Sequence, residues 1–255
     1  MKSHFGLASA YDRLGDEKGV LAELETIHAL EPDNKLICYG LVSLHTLAGR
    51  YDKAAEYLRR IIEHNPAEAN AYVNLGIIQL RSGSFEAARD SFMAVKNIAE
   101  DHPEINFYLG LTHEALGNNA EAIRFYEICL DFFQDKPLVY FHLVALYEQQ
   151  GDFLKAIDYL KRTIELDPEH DEALNYLGYL YAERGENLDE AIRLIERALA
   201  LEPTIGAYWD SMGWAYFKKG EYAKAREYLE KALILEGKDA EIQPHLIRYW
   251  LTPAP

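Results

Sequence analysis

Residues 206–239 read GAYWDSMGWAYFKKGEYAKAREYLEKALILEGKD, two apolar-faced halves that meet at Gly220. In each half the apolar and small residues recur every three or four positions. They are Trp209, Met212, Gly213 and Tyr216 in the first half, and Ala225, Leu229 and Ala232 in the second. This spacing puts each set on one side of a helix of about 3.6 residues per turn. The stretch therefore predicts two closely packed antiparallel helices with Gly220 in the turn.

The same pattern recurs six times upstream. The turn position is always glycine, at steps of 34 residues with one final step of 35: Gly15, Gly49, Gly83, Gly117, Gly151, Gly185 and Gly220. A small residue of the second helix follows the same steps: Val20, Ala54, Ala88, Ala122, Ala156, Ala191 and Ala225. The additional residue falls in the turn GENL at 185–188. The chain is thus an array of repeated helical hairpins.

A 34-residue helical hairpin with these residues resembles the tetratricopeptide repeat, in its bacterial form, from residue 1 to about residue 239. The resemblance implies an all-α fold, a right-handed α-solenoid of seven helix-turn-helix units with the first helices on the concave side. The predicted repeats are 1–34, 35–68, 69–102, 103–136, 137–170, 171–205 and 206–239.

Residues 240–251, AEIQPHLIRYWL, predict a C-terminal capping helix that completes a single superhelix over 1–251 and leaves 252–255 as a tail. Ile247, Tyr249, Trp250 and Leu251 cannot all face one partner on such a helix. Either the helix also contacts a second molecule, which would make a homo-oligomer, or more chain follows it. The array also starts inside a repeat, which leaves open that it belongs to a longer protein.

Repeat four departs from the pattern where its second helix ends. Phe132 and Phe133 stand where other copies have an acidic residue and proline, and the closing proline is delayed to Pro137. We interpret this as a lengthened helix that packs on the next repeat. An exposed contact patch is the alternative.

Composition limits the classes of partner. The net charge of −16 disfavours nucleic acid and anionic membrane surfaces, and suits a neutral or basic protein or peptide. No apolar run approaches the roughly 20 residues of a membrane helix, so direct membrane insertion is not expected. The chain as given reads as cytoplasmic, or as periplasmic or envelope-associated if it is part of a secreted protein.

The two cysteines, Cys38 and Cys129, lie in repeats two and four. At about 10 Å per packed helix layer they should be roughly 20 Å apart. A disulfide requires Cα atoms within about 7 Å. We therefore expect two free, buried thiols.

The sequence contains no catalytic constellation, and we expect neither an enzyme nor a cofactor or metal site. The nine histidines form no pair spaced by four residues, and HExxH, CxxC, GxSxG and P-loop motifs are absent. His45 and His113 occupy a repeat position that holds tyrosine in other copies. They are predicted to lie at the edge of the core.

The resemblance implies that positions five, six, nine and twelve of each first helix face the groove. The candidate peptide-binding residues at these positions are Tyr39, Asn74, Phe107, Phe141, His142, Asn175, Tyr179, Asp210 and Trp214. Aromatic rings can cover apolar side chains, and amides can bond both groups of an extended backbone. Core packing is an equal alternative for Phe107 and Phe141. Position five never holds lysine, which argues against the family's capture of a terminal carboxylate.

Three functions remain. The leading hypothesis is a non-enzymatic scaffold that binds a peptide or helical segment in the groove. The second is an oligomerisation or assembly module. The third is the accessory region of a larger enzyme or bacterial envelope protein.

Overall fold

The computed structural model describes residues 2–99, 102 and 104–236, and these ranges contain fourteen α-helices and no strand. The helices are α1 (Lys2–Arg13), α2 (Glu17–Leu30), α3 (Lys35–Leu47), α4 (Tyr51–His64), α5 (Ala69–Arg81), α6 (Phe85–Ile98), α7 (Glu104–Ala115), α8 (Asn119–Phe132), α9 (Pro137–Gln149), α10 (Phe153–Leu166), α11 (Asp171–Arg184), α12 (Leu188–Leu201), α13 (Gly206–Lys219) and α14 (Tyr222–Glu236). They pair into seven helical hairpins. The predicted all-α class and its seven helix-turn-helix units are confirmed.

Each hairpin turns at its glycine, and all seven of these glycines have φ between 68° and 83°. At Gly83 the turn is closed by two backbone hydrogen bonds, in which the Gly83 N–H donates to Leu80 O and the Ser84 N–H to Gln79 O. This arrangement is a Schellman motif, which satisfies carbonyls at the end of a helix. Because a Cβ costs about 1–2 kcal/mol in the left-handed region, glycine is the residue that this turn favours.

The turn with one additional residue uses two left-handed positions instead of one. Gly185 has φ 70° and ends α11, and Asn187 follows with φ 48° and precedes α12. Asparagine tolerates this region better than most residues. The 35-residue step is therefore absorbed within the turn, and α12 keeps the 14 residues that α10 has.

The core is built where small residues let two helices approach. The repeated alanines are fully buried at Ala54, Ala88, Ala122, Ala156, Ala191 and Ala225. A Cβ on Gly76 would lie 2.5 Å from the Phe92 ring, and one on Gly110 would lie 2.5 Å from the Tyr126 ring. Each of these two hairpins thus packs an aromatic ring directly on a glycine backbone.

The chain divides into two compact units, unit 1 over 1–132 and unit 2 over 133–255. In unit 1 each second helix packs against the next first helix, as α2 does on α3, α4 on α5 and α6 on α7. In unit 2 the same holds for α10 on α11 and α12 on α13, and α11 also packs directly on α13. That the repeats form one right-handed superhelix over 1–251 stays a prediction. The capping helix predicted at 240–251 and the tail at 252–255 lie outside the described residues.

The prediction of a lengthened helix in repeat four is wrong. α8 ends at Phe132 and has 14 residues, as do α6 and α10. The Phe132 side chain is 63% exposed, and Phe133 follows the helix with Lys136 Nζ 5.4 Å from its ring centroid. The delayed proline lengthens neither the helix nor the connection, which has four residues (133–136), as does the connection between α10 and α11 (167–170), and Pro137 begins α9.

Both cysteines are free and buried, as predicted. Cys38 Sγ donates to Pro32 O at 3.6 Å and lies 3.7 Å from His28 Nδ1. None of the described helices combines the length and apolar character that crossing a bilayer would require.

Candidate ligand-binding face

Two first helices of unit 2, α9 and α11, bury one side and leave the other partly open. On α9, Val139, Leu143, Val144, Leu146 and Tyr147 are buried. Exposed or half-buried residues that recur every three or four positions lie on the other side, and we call such a set the open stripe of the helix. On α9 the open stripe is Leu138, Phe141, His142, Ala145 and Glu148.

The open stripe of α11 follows the same spacing. It consists of Glu172, Asn175, Tyr176, Tyr179 and Glu183. The rings of Tyr176 and Tyr179 are nearly parallel, with centroids 6.4 Å apart. The Phe141 ring of α9 lies 4.7 Å from the ring of His170, the residue that caps the start of α11. The open stripe of α9 thus contacts the start of α11, and we call the two open stripes together the unit-2 face.

Asn175 brings an unused acceptor to this face. Its Oδ1 is buried and has no hydrogen-bond donor among the described residues. A buried polar atom without a partner costs about 1–3 kcal/mol. A ligand N–H that reaches Oδ1 would recover that cost.

On α9, the polar group of the unit-2 face without a partner is the carboxylate of Glu148. Its side chain is half-buried, and burial raises its pKa above the ordinary value. The Glu148 carboxylate forms no ion pair or hydrogen bond with any residue that the structure describes. Nothing within the described protein therefore compensates the partial loss of hydration of this carboxylate.

Trp214 and Asp210 on α13 are buried, at 3% and 4% exposed. The Trp214 Nε1–H donates to Glu183 Oε2 at 2.7 Å, and its ring stacks on Phe217 with centroids 5.2 Å apart. A second bond joins the same helices, because the Tyr208 hydroxyl donates to Asp171 Oδ2 at 2.6 Å. These contacts hold α13 against α11, so Trp214 acts on the face by orienting Glu183 and offers little surface of its own.

The three candidate residues of unit 1 lie on three different first helices. Tyr39 on α3 is half-buried, and burial and the nearby Glu68 carboxylate raise the pKa of its hydroxyl to about 12. Asn74 on α5 donates its Nδ2–H to Asn70 O of the same helix, at 2.8 Å. Phe107 on α7 is half-buried, with its ring centroid 6.0 Å from that of Tyr126. Part of the Asn74 and Phe107 side chains is thus already used within the repeats, whereas the buried Tyr39 hydroxyl has no hydrogen-bond partner in the described part of the chain.

The open stripes of unit 1 are more apolar than those of unit 2. Around Asn74 and Phe107 they carry Val73, Ile77, Leu80, Tyr108 and Leu111, all half-buried. Val73, Ile77, Leu80 and Tyr108 pack against the buried cluster that contains Phe92, Ile105 and Leu109. Much of this side is therefore the edge of the core, which was the alternative considered for Phe107.

Six residues of the unit-2 face are absent from the sequence-based set of candidates: Leu138, Ala145, Glu148, Glu172, Tyr176 and Glu183. Their spacing on the helix contained the signal, because each lies three or four residues from a candidate or from Ala145 on the same open stripe. The importance of the polar residues among them depends on whether each side chain has a hydrogen-bond or ion-pair partner, which a repeat position does not reveal.

The described residues contain no group of three or more His, Cys, Asp or Glu side chains placed to hold a metal. His45 is fully buried and its ring stacks on Tyr57, with centroids 5.6 Å apart. His113 stacks on Phe125 in the same way, at 5.3 Å. Both histidines belong to the core or its edge, as the repeat position predicts.

Comparison with known families identifies the repeat. One tetratricopeptide repeat model matches residues 41–101 and 143–211, and a second model of the same repeat matches residues 206–239. The TPR repeat-containing protein PA4667 of Pseudomonas aeruginosa is 31% identical over 173 residues, which are 66% of this chain and 29% of that protein.

Two eukaryotic relatives are more distant. The anaphase-promoting complex subunit cut9 of Schizosaccharomyces pombe is 25% identical over 91% of this chain and 36% of its own length. The protein O-mannosyl-transferase TMTC1 of Homo sapiens is 25% identical over 77% of this chain and 22% of its own length. The chain thus spans less than a third of the length of PA4667 and of TMTC1, and slightly more than a third of the length of cut9.

Solved structures show the same architecture. A tetratricopeptide repeat protein from Parabacteroides merdae superposes with a TM-score of 0.68 at 16% identity, covering 98% of this chain and all of the other. YrrB, described as a TPR protein with an unusual peptide-binding site, gives a TM-score of 0.62 at 22% identity over 72% of this chain and 95% of its own. At these identities the likeness shows the fold alone.

Proposed function

This chain belongs to the tetratricopeptide repeat family, whose members mediate protein–protein interactions, and we propose that it is a non-enzymatic scaffold that binds an extended peptide segment on the unit-2 face. The observation that carries the proposal is the Asn175 Oδ1, a buried acceptor that finds no donor in the described part of the chain. It lies next to Tyr176 and one turn before Tyr179 on the open stripe of a first helix. The proposal involves no cofactor.

An extended peptide satisfies the chemistry of this face better than a helix does. The backbone N–H groups of an extended segment are free, whereas those of a helix are bonded internally. One such N–H can donate to Asn175 Oδ1. The Tyr176 and Tyr179 rings, which lie one turn apart, can cover the flanking side chains with apolar area.

The names of the relatives agree with a role in binding, without deciding it. YrrB is described as binding a peptide and cut9 as a subunit of a complex. TMTC1 is named a transferase, but this chain covers 22% of it. A role as the accessory repeat region of a larger enzyme or envelope protein therefore remains the alternative.

A library of random, end-blocked nonapeptides tests the proposal. The double variant Asn175→Ala/Tyr179→Ala should lose binding of the selected peptides by about tenfold or more, because a buried hydrogen bond and a ring contact are removed together. The double variant Asn97→Ala/Phe153→Ala is the matched control, since it removes an exposed amide and an exposed ring from second helices. Equal loss in both double variants, or no selected peptide at all, would refute the proposal.

One observation favours assembly as a second function. Leu7 on α1 is 45% exposed, although its repeat counterparts Leu41, Leu75, Leu109, Leu143, Leu177 and Met212 are buried. Phe5 on the same helix is 44% exposed. Light scattering over a dilution series decides between the two: a dimer that Leu7→Ser dissociates supports assembly, and a monomer at every concentration rejects it.

A further inference from the structure

We infer that the unit-2 face recognises a lysine or arginine side chain of its peptide, with Glu148 as the carboxylate that pairs with it. The inference rests on the proposed function and adds the charge of the partner. It begins from the observation that Glu148 has no ion-pair partner among the described residues, whereas several other carboxylates of unit 2 do.

Several surface carboxylates elsewhere in unit 2 have cations of their own. Glu165 pairs with Arg162, Glu190 with Arg193 and Glu230 with Arg226, all at 2.7 Å or closer. These pairs are on second helices, three or four residues apart. Glu148 is on a first helix, is half-buried, and has no such partner among the described residues.

No lysine or arginine of the face itself can supply the charge. α9 contains neither residue, and His142 is the one basic side chain among the ten residues of the face. The nearest lysines in sequence are engaged with other groups. Lys155 Nζ donates to the Tyr147 hydroxyl at 3.2 Å, and Lys136 Nζ lies 5.4 Å from the Phe133 ring centroid.

The surroundings of Glu148 suit the long stem of such a side chain. Ala145, one turn before Glu148, is exposed and contributes only a methyl group, so the carboxylate can be approached along the helix. Phe141 lies one turn further back. An aromatic ring covers the methylene groups of lysine or arginine, and its face attracts their charge.

The rest of the face repels anions and accepts hydrogen bonds. Glu172 is exposed, Glu183 is held by Trp214, and Asn175 presents its unused Oδ1. A peptide that brings a cation and backbone N–H groups therefore complements the face, whereas an acidic peptide would add like charges.

The experiment uses the whole chain and a positional-scanning library of end-blocked nonapeptides, each sublibrary with one fixed residue. Wild type should bind the best lysine or arginine sublibrary about tenfold more tightly than the glutamate sublibrary at the same position, at low salt. Glu148→Gln should remove this preference and keep binding of neutral peptides. Glu148→Lys should reverse it toward aspartate and glutamate.

The matched control is Glu196→Lys, which changes the same charge at an exposed position of α12. It should leave the preference for basic residues intact, and circular dichroism melts check that all variants fold. A preference that survives in Glu148→Gln, or a wild type that binds peptides without regard to charge, overturns the inference and leaves the proposed function standing. A wild type that binds no sublibrary overturns both.

Discussion

The Nε1–H of Trp214 on α13 donates a 2.7 Å hydrogen bond to Oε2 of Glu183 on α11, 31 residues earlier in the chain. This bond ties together the first helices of two consecutive repeats. Trp214 is also 3% exposed. A residue selected as a ligand contact from its repeat position is therefore a structural link between repeats, which makes its removal a test of stability.

We expect Trp214→Phe to lower the free energy of unfolding by about 1–3 kcal/mol, because Glu183 loses a hydrogen-bond donor in a partly buried place. Urea unfolding measures the change. Trp209→Phe is the control, since the Trp209 Nε1–H donates to Pro203 O in an exposed bond, and it should cost less. If the double variant Trp214→Phe/Glu183→Gln shows simple additivity, the two residues are not coupled.

Gly76→Ala should destabilise the protein by about 1–3 kcal/mol, because its Cβ would lie 2.5 Å from the Phe92 ring and would force the two helices apart. Gly6→Ala is the matched control in helix α1. A Cβ there meets nothing within 4 Å, so alanine should stabilise the helix by about 0.5–1 kcal/mol. Thermal unfolding followed by circular dichroism compares them, and effects of the same sign would contradict the close packing at Gly76.

Stability should fall as the pH drops below about 6.5, the ordinary histidine value. Burial lowers the pKa of His45, and Arg50 and Lys53 lower it further, while Glu25 and Glu56 act in the opposite direction. The unfolded chain therefore binds a proton before the folded chain does, and stability is lost from about pH 6.5 down through the lowered pKa.

Unfolding free energies between pH 8 and pH 5 test this dependence on His45. The variant His45→Phe keeps a ring to stack on Tyr57 and should flatten the slope. Part of the slope should remain, because burial also lowers the pKa of His28 and His113. A slope in His45→Phe equal to that of wild type would contradict the prediction. It would show either that His45 is protonated in the folded state or that His45 contributes nothing to the pH dependence.

Neither thiol should react quickly with Ellman's reagent in the native protein, since Cys38 and Cys129 are 1% and 2% exposed. Burial also raises the pKa of the Cys38 thiol, which lowers its thiolate fraction. Both thiols should react within minutes in denaturant. Fast release of one equivalent without denaturant would show that one of the two repeats opens readily.

Much of the fold could be predicted from local rules. The hairpin turns follow from glycines at a fixed step, because the left-handed region is open to glycine and costly to most other residues. The buried positions, such as Ala88 and Ala156, follow from helical spacing. The error at Phe132 arose because a missing proline was taken to extend a helix, when the chain ends the helix at the usual length without it.

The candidate site could be predicted only in outline. Repeat positions indicate which side of a first helix is open, and Asn175 and Tyr179 lie there. They do not show that Trp214 is covered, that Glu183 is held, or that Glu148 has no cation among the described residues, because these depend on side chains from other helices.

By itself, then, the sequence determined the period, the helices and their turns, since these depend on interactions within a few residues of each other. Only the tertiary structure decided which polar groups of the open stripes are paired and which have no partner among the described residues. The physical reason is that hydrogen bonding and burial are set by residues brought together across repeats, as Glu183 and Trp214 are.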